Sequence, residues 1–221
     1  MRTKRISTIL NIIGMSVSLM VFLVLFAQVW YDYSFNRNLA DYRNIYRLEQ
    51  PENSDANDYR YDYIVRTKAE IERFRSASPD IVAACDYAEL DMKVDFKMCF
   101  NDNGEIKKYD MPWTFTDTAF PTVFELDIVA GSTDGYNKEN AALISEGYAR
   151  TIFGDRNPVG EILTLEMFQY EYQIVGVYKD MPENCTVING LLVNDGGVEE
   201  TLLAVHTGFF RLMDGADPEE V

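Results

Sequence analysis

The sequence predicts an α+β protein: one N-terminal transmembrane helix followed by a two-lobed extracytoplasmic α+β domain containing a split β-α-β unit. Three observations predict it: a long uncharged apolar run near the N-terminus, an abrupt change of charge after that run, and short strand-like segments interleaved with few helices. Of the 221 residues, 47% are hydrophobic and 13% aromatic, which excludes a disordered chain and supplies enough apolar side chains for a core.

The charge of the chain is divided at about residue 31. The first 31 residues contain Arg2, Lys4 and Arg5 and no acidic residue. Subtracting these three from the 20 basic residues leaves 17 basic against 36 acidic residues, a net of −19. Nucleic-acid binding requires a basic surface, so this charge excludes a nucleic-acid partner.

The apolar run extends from Ile6 to Tyr31 and contains 26 residues without a charged side chain. About 20 apolar residues in a helix cross a bilayer core, and basic residues flank the cytoplasmic end. Residues 1–31 are therefore predicted to be a cytoplasmic start and a transmembrane helix, and residues 32–221 the extracytoplasmic domain. A cleaved signal peptide is the competing interpretation, but the run is long and Leu25-Phe26-Ala27 is a poor cleavage pattern.

Gly14 and Ser18 lie four residues apart in the predicted span. This spacing places two small residues on one helix face, where a neighbouring helix can approach closely. The outer run Leu19–Ala27 contains neither Gly nor Pro, so it is predicted not to hinge.

The first elements of the domain predict a β-α-β unit. A strand over Asn44–Glu49 precedes a helix that starts at Thr67, where Thr67 and Glu70 form a capping box. The helix ends before Ser78-Pro79, and Ile81–Glu89 is again extended. We assign residues of about 44–100, with the returning strand in 205–221, to lobe A.

Lobe B is predicted to comprise residues of about 101–200. Asn101–Gly104 is a hairpin turn signal, and Ile162–Leu165 and Tyr170–Tyr178 are expected to pair as strands. A short helix is predicted from an N-cap at Ser145 to Phe153.

Glycine and proline mark three further positions. Gly154 is predicted to end the helix, Asn157–Gly160 to form a type I turn, and Gly176 to let two backbones approach in a strand.

The sequence contains no motif that predicts catalysis or cofactor binding. It has neither a phosphate-binding P-loop nor a nucleophile elbow, and its one histidine, His206, lies between apolar residues. Cys85, Cys99 and Cys185 lack metal-ligand spacing; either Cys85 and Cys99 form a disulfide, or all three are small buried thiols. We therefore predict no catalytic, cofactor or metal site.

Four blocks of the chain resemble MacB/FtsX-type ABC transporter permeases, in order and at fitting spacing. The blocks run from the first span through the periplasmic core domain of that family, and they comprise 11–16 with 32–36 and 43–48, then 120–126 with 129–131, 142–160 and 172–185. The most specific block contains Phe153, Gly154, Asn157, Pro158 and Gly160, and the last block contains Gly176; in this resemblance they are residues that determine the fold.

The resemblance implies a role in transport across the bacterial inner membrane, with the N-terminus cytoplasmic and the body periplasmic. The chain would relay ATP-driven motion or handle substrate without catalysis of its own. ATP would bind a separate ABC ATPase subunit, and the other partners would be the membrane and the remaining permease helices or a second permease copy.

Two expectations depend on the extent of the chain. A complete family member adds roughly three more spans, and no stretch after Tyr31 is long and apolar enough to be one, so we expect a fragment or a degenerate copy. The alternative function is a single-pass membrane-anchored binding or sensor module. Downstream spans and an adjacent ATPase gene would select the transport role.

Overall fold

A computed structural model describes residues 2–48, 68–90, 97–194 and 204–218. These residues form two compact units. The first contains residues 1–39 and the short segment Pro182–Thr186, and the second contains residues 40–181 and 187–221. We refer to the second unit as the body.

The first unit is dominated by one helix, α1, over Arg2–Ser34. Its described apolar side chains point outward without protein contacts that bury them, as Leu19, Phe22 and Trp30 illustrate. This confirms the predicted N-terminal apolar helix, which continues three residues beyond the predicted end of the span.

The described residues of the body form one mixed sheet of eleven strands. Three helices accompany it in the described ranges, together with two 3₁₀ turns at Tyr42–Asn44 and Asp134–Asn137. In chain order the elements are β1 Ile45–Arg47, α2 Lys68–Arg75, β2 Ile81–Leu90, β3 Lys97–Asp102, β4 Glu105–Asp110, β5 Trp113–Thr116, α3 Phe120–Val123, β6 Ile128–Gly131, β7 Ala141–Ser145, α4 Glu146–Phe153, β8 Ile162–Leu165, β9 Tyr170–Tyr178, β10 Leu191–Asn194 and β11 Ala204–Leu212. The strand order is β1-β11-β2-β5-β10-β7-β9-β8-β3-β4, and β6 pairs with β9.

The predicted split β-α-β unit lies at one end of the sheet. β1 and β2 both pair antiparallel with β11, so the last strand lies between them. Tyr46 and Phe210 occupy paired positions, and their rings stack with centroids 5.6 Å apart. α2 packs on β2 and buries Ile71. Thr67, the predicted cap of α2, lies outside the described residues.

Two antiparallel hairpins form the other end of the sheet. β3 and β4 pair around Asn103-Gly104, and both turn residues have the positive φ that the turn signal predicts. β8 and β9 pair as expected, from Ile162 opposite Gln173 to Leu165 opposite Tyr170. The division of the body into lobes A and B remains a prediction.

The centre of the sheet contains the core. β7 is buried along its whole length, between its parallel partner β9 and its antiparallel partner β10. β10 is likewise fully buried and also pairs parallel with β5. Strands buried on both faces carry continuous apolar runs, which explains the sequences Ala-Ala-Leu-Ile-Ser and Leu-Leu-Val-Asn.

Candidate functional site

The helix α1 is long and apolar enough to cross a membrane. The candidate span covers Ile9–Ser34, 26 residues, which at 1.5 Å per residue gives about 39 Å, against about 30 Å of bilayer core. Asp32 is the one charged residue in that range, near its outer end. The side chain of Gln28 donates a hydrogen bond to Asp32 Oδ1 at 2.9 Å, one turn away.

One face of α1 carries a ladder of aromatic rings. Phe22, Phe26 and Trp30 follow each other at intervals of four residues, with centroids 6.2 and 6.3 Å apart, and Trp30 continues to Tyr33 at 6.5 Å. The guanidinium of Arg37 lies 3.8 Å from the ring centroid of Tyr33. The four-residue spacing of these aromatic residues is visible in the sequence, but the ladder was not predicted from it.

Gly14 and Ser18 precede this ladder at the same four-residue interval, so small residues continue directly into the aromatic row. Beyond the adjacent residues and the backbone of α1 itself, no atom of the described residues lies within 4 Å of the position where a Gly14 Cβ would be. Their role in helix packing remains a prediction.

The end of α1 is hydrogen bonded to the segment Pro182–Thr186, and we call this set of contacts the junction. Asn36 Nδ2 donates to Thr186 Oγ1 at 2.9 Å, and Thr186 N donates to Asn36 Oδ1 at 2.7 Å. Asn36 N donates to the Asn184 carbonyl at 2.9 Å. Asn184 Nδ2 donates to Ser34 Oγ at 2.8 Å, and Asn38 Nδ2 donates to Asn184 Oδ1 at 3.1 Å.

The backbone of Asn36 has a φ of 60°, in the left-handed region that asparagine tolerates better than most residues. This is a common way to end a helix. The junction therefore depends on a residue type suited both to the turn and to the paired hydrogen bonds.

The chain on either side of Pro182–Thr186 is fixed within the body. Met181 N donates to Asn189 Oδ1 at 2.7 Å, and Asn189 Nδ2 donates to the Met181 carbonyl at 2.8 Å. Gly190 N donates to the buried hydroxyl of Tyr178 at 3.0 Å, and Ile188 N donates to the Tyr87 hydroxyl at 3.3 Å. These bonds close the base of the connection from β9 to β10.

Asp180 stabilises the start of α4. Its Oδ1 accepts a hydrogen bond from Gly147 N at 2.9 Å, at the end of the helix where backbone N–H groups lack partners. Ser145 occupies the N-cap position of this helix, as predicted. Ser145 has the extended backbone of an N-cap, but its Oγ is buried and makes no hydrogen bond within the described residues.

The end of α4 and the residues that follow it carry the most specific block of the resemblance. Phe153 is buried and packs edge-to-face on Phe100 at 4.7 Å, and Gly154, with φ of 63°, ends the helix as predicted. Asn157 Oδ1 accepts a hydrogen bond from Val159 N at 3.1 Å.

The predicted type I turn over 157–160 lies one residue later. The Pro158 carbonyl accepts from Glu161 N at 3.0 Å, and Gly160 occupies the third position with φ of 95°. A left-handed third residue is typical of a type II turn and favours glycine there. Gly160 N also donates to the Ile174 carbonyl at 2.8 Å, which attaches the turn to β9.

Gly176 lies where three strands meet closely. It is opposite Gly131 of β6 and next to the irregularity at Ala142/Leu143 of β7. A Cβ on Gly176 would lie 3.0 Å from Leu143 Cδ2, and one on Gly131 would lie 2.3 Å from the Val175 carbonyl oxygen. The predicted close approach of backbones is therefore present, and Gly131 is the tighter of the two positions.

The chain matches the family model of the MacB-like periplasmic core domain over residues 8–221. The chain belongs to this family. No curated protein matches it.

Solved structures share the fold of this MacB-like domain. A domain of a putative permease from Porphyromonas gingivalis is 23% identical, with a TM-score of 0.54 over 68% of this chain and 70% of that chain. The periplasmic region of MacB from Actinobacillus actinomycetemcomitans is 12% identical, with a TM-score of 0.56 over 85% and 80%. The extracellular domain of the noncanonic ABC-type transporter YknZ from Gram-positive bacteria is 14% identical, with a TM-score of 0.50 over 77% and 83%.

The family membership and the apolar helix together identify a membrane-anchored periplasmic domain of an ABC-type permease. Domains of this kind are not themselves catalytic. Within the described residues, no group of three or more His, Cys, Asp or Glu side chains is placed to hold a metal ion. No disulfide joins Cys85, Cys99 or Cys185 in this structure, so the disulfide alternative for Cys85 and Cys99 is not realised. The side chain of His206 lies outside the described part of the chain.

Proposed function

We propose that this chain passes ATP-driven movement of permease helices to the periplasmic body, and that the junction is where the movement leaves the membrane helix. The observation that carries the proposal is the double hydrogen bond between Asn36 and Thr186, reinforced by the Asn184 contacts with Ser34 and Asn38. ATP binds a separate ABC ATPase subunit, and the chain lies in the bacterial inner membrane with Arg2, Lys4 and Arg5 in the cytoplasm.

A relay of this kind requires a stiff helix. α1 is continuous over 33 residues, and the ring ladder from Phe22 to Tyr33 braces the half nearest the junction. Neither Gly nor Pro interrupts Leu19–Ala27, so nothing in that run favours a kink. A displacement of the helix therefore reaches Ser34 and Asn36 with little loss by bending.

A relay also requires that the segment bonded to the helix be rigidly attached to the body. The segment Pro182–Thr186 lies between β9 and β10 in the sequence. The Met181–Asn189 and Tyr178–Gly190 hydrogen bonds hold its two ends together. Because β9 and β10 both pair with the buried strand β7, a pull on the segment acts on the centre of the sheet.

The experiment is hydrogen exchange on the complete permease with its ATPase, reconstituted in nanodiscs. We expect the amides of residues 182–190 to change their exchange rates between the ADP-bound and ATP-bound transporter. An ATPase subunit that cannot bind ATP serves as the control. Identical exchange of these residues in both nucleotide states would contradict the relay and favour the anchored binding module.

A further inference from the structure

Arg211 of β11 joins two turns that are far apart in the sequence. Only 9% of the surface of this arginine is exposed. Its guanidinium forms ion pairs with the carboxylates of Asp41 and Glu125, the latter at 2.6 Å. Its second terminal nitrogen donates to the Val123 carbonyl at 3.4 Å. Asp41 precedes the 3₁₀ turn that leads into β1, and Glu125 lies just beyond α3.

Both carboxylates are carried by residues whose backbone lies in the left-handed region. The φ angle is 51° at Asp41 and 46° at Glu125. A residue with a Cβ is disfavoured in this left-handed region, and glutamate lacks the short polar side chain that eases it for asparagine and aspartate. The other non-glycine residues of positive φ in the described ranges are uncharged amides: Asn36, Asn103, Asn140 and Gln169.

The environment of Asp41 ties it to further polar groups. Asn44 Nδ2 donates to both oxygens of Asp41 at 2.9 Å and to Asp214 Oδ1 at 2.6 Å. Asn44 N donates to the Asp41 carbonyl at 3.0 Å, so the turn is closed by both backbone and side chain. The turn after α3 is closed by Leu126 N, which donates to the Pro121 carbonyl at 3.1 Å.

We infer that Arg211 is a conformational latch: by binding Asp41 and Glu125 it holds two left-handed turns that relax when the arginine lets go. Strained backbone persists where surrounding contacts compensate for it, and here one buried cation contacts the carboxylates of both turns. Asp41 lies only two residues beyond Leu39, the last residue of the first unit, so the latch fixes the chain where it enters the body. The use of this latch in transport rests on the proposed relay, whereas its existence does not.

The test compares alanine with glycine at position 125, by hydrogen exchange of the full chain in detergent without nucleotide. Glu125→Ala loses the ion pair but keeps the unfavourable Cβ, so exchange at Leu126 should rise about threefold to tenfold. Glu125→Gly loses the ion pair and the strain together, so exchange at Leu126 should stay within about twofold of the unmodified chain. Faster exchange at Leu126 with glycine than with alanine would overturn the latch, because glycine is the more flexible residue wherever the backbone is not strained.

A second pair of variants tests whether one arginine holds both turns. Arg211→Gln should raise exchange at Asn44 and at Leu126 together, and adding Glu125→Gly should restore Leu126 while leaving Asn44 fast. Arg156→Gln removes an arginine that binds the carboxylate of Asp102, and it serves as the matched control that leaves both amides unchanged. These measurements are made without nucleotide, so a negative result would contradict the latch and not the relay. A negative result in the nucleotide-dependent experiment would contradict the relay and not the latch.

Discussion

Asn36 and Thr186 lie 150 positions apart in the chain and exchange two hydrogen bonds. The Asn36 amide donates to the Thr186 hydroxyl and accepts from the Thr186 backbone, so one side chain satisfies both a side-chain and a backbone partner. This pairing joins the end of α1 to the segment Pro182–Thr186, which lies between β9 and β10 in the sequence. In the relay that we propose, movement of the helix would act through this contact.

The start of α4 provides a prediction that compares Asp180 with Ser145. Asp180→Ala should destabilise the body by about 0.5–1 kcal/mol, because the helix loses the acceptor for Gly147 N. Ser145→Ala should change the free energy of unfolding by less than about 0.5 kcal/mol or raise it, because the buried Ser145 hydroxyl makes no bond to lose. Urea denaturation of both variants measures the difference. A larger loss of stability for Ser145→Ala than for Asp180→Ala would show that Ser145, not Asp180, caps α4.

Gly131 and Gly176 differ in how much space surrounds them. Gly131→Ala should cost about 2–4 kcal/mol, since its φ is 75° and its Cβ would lie 2.3 Å from a backbone oxygen. Gly176→Ala should cost about 1 kcal/mol, because the nearest atom is the movable Cδ2 of Leu143 at 3.0 Å.

Gly104→Ala is the control for this pair, since its φ is 97° and its Cβ would meet open space. Thermal or urea unfolding of the three variants should therefore show the largest loss of stability for Gly131→Ala. Equal losses at Gly131 and Gly104 would mean that backbone angle, not the contact with Val175, determines the cost.

Asp117 should make the stability of the body depend on pH. Its carboxylate accepts hydrogen bonds from Ala119 N at 2.9 Å and Asp86 N at 3.1 Å, yet burial raises the pKa of Asp117 above the ordinary 3.8. The folded protein binds this proton more tightly than the unfolded chain does. The stability that Asp117 contributes is therefore complete below pH 3.8 and is lost as the pH rises through the pKa of Asp117 in the folded protein.

The measurement is urea denaturation of the unmodified chain and of Asp117→Asn between pH 3.5 and 7. The stability of the unmodified chain relative to the variant should fall as the pH rises above 3.8 and then level off. Subtraction removes the contributions of the other carboxylates, and an asparagine at 117 adds an offset that does not vary with pH. A relative stability that rises with pH would show that the hydrogen bonds outweigh burial.

Gly14 and Ser18 are predicted to pack against another permease helix. Gly14→Leu together with Ser18→Leu should weaken assembly with the remaining helices by about 1 kcal/mol per contact, so the loss is partial. Co-purification of the chain with the rest of the permease measures it, and Leu10→Ile is a control that changes shape without adding bulk. Unchanged co-purification of the double variant would remove these residues from the interface.

The elements that the sequence predicts correctly are those with a local signal. Uncharged length identifies α1, Asn103-Gly104 identifies a hairpin, and the strand-helix-strand order with a returning last strand identifies the split β-α-β unit. β6 and β10 contain only four residues each, too few for a periodic pattern to separate them from loops.

The contacts that the sequence does not predict are non-local. Asp180 caps a helix 33 positions away, and Thr186 meets Asn36 across 150 positions. No pattern in one sequence pairs such residues, although an asparagine two positions after a helix is a sign of a left-handed end. The type II turn at Pro158 was not predicted because the sequence fits both turn types; the φ of 95° at Gly160 and the hydrogen bond from Glu161 N to the Pro158 carbonyl identify it.

The measurement that tests the central claim most directly is ATP-dependent hydrogen exchange in the complete permease carrying Asn36→Ala. Asn38→Ala, which removes only the exposed bond to Asn184, is the matched control. We predict that the ATP-dependent change at residues 182–190 is lost in Asn36→Ala and kept in Asn38→Ala, while both variants hydrolyse ATP. If the change in Asn36→Ala equals that of the unmodified permease, movement does not pass through the junction and the account is wrong.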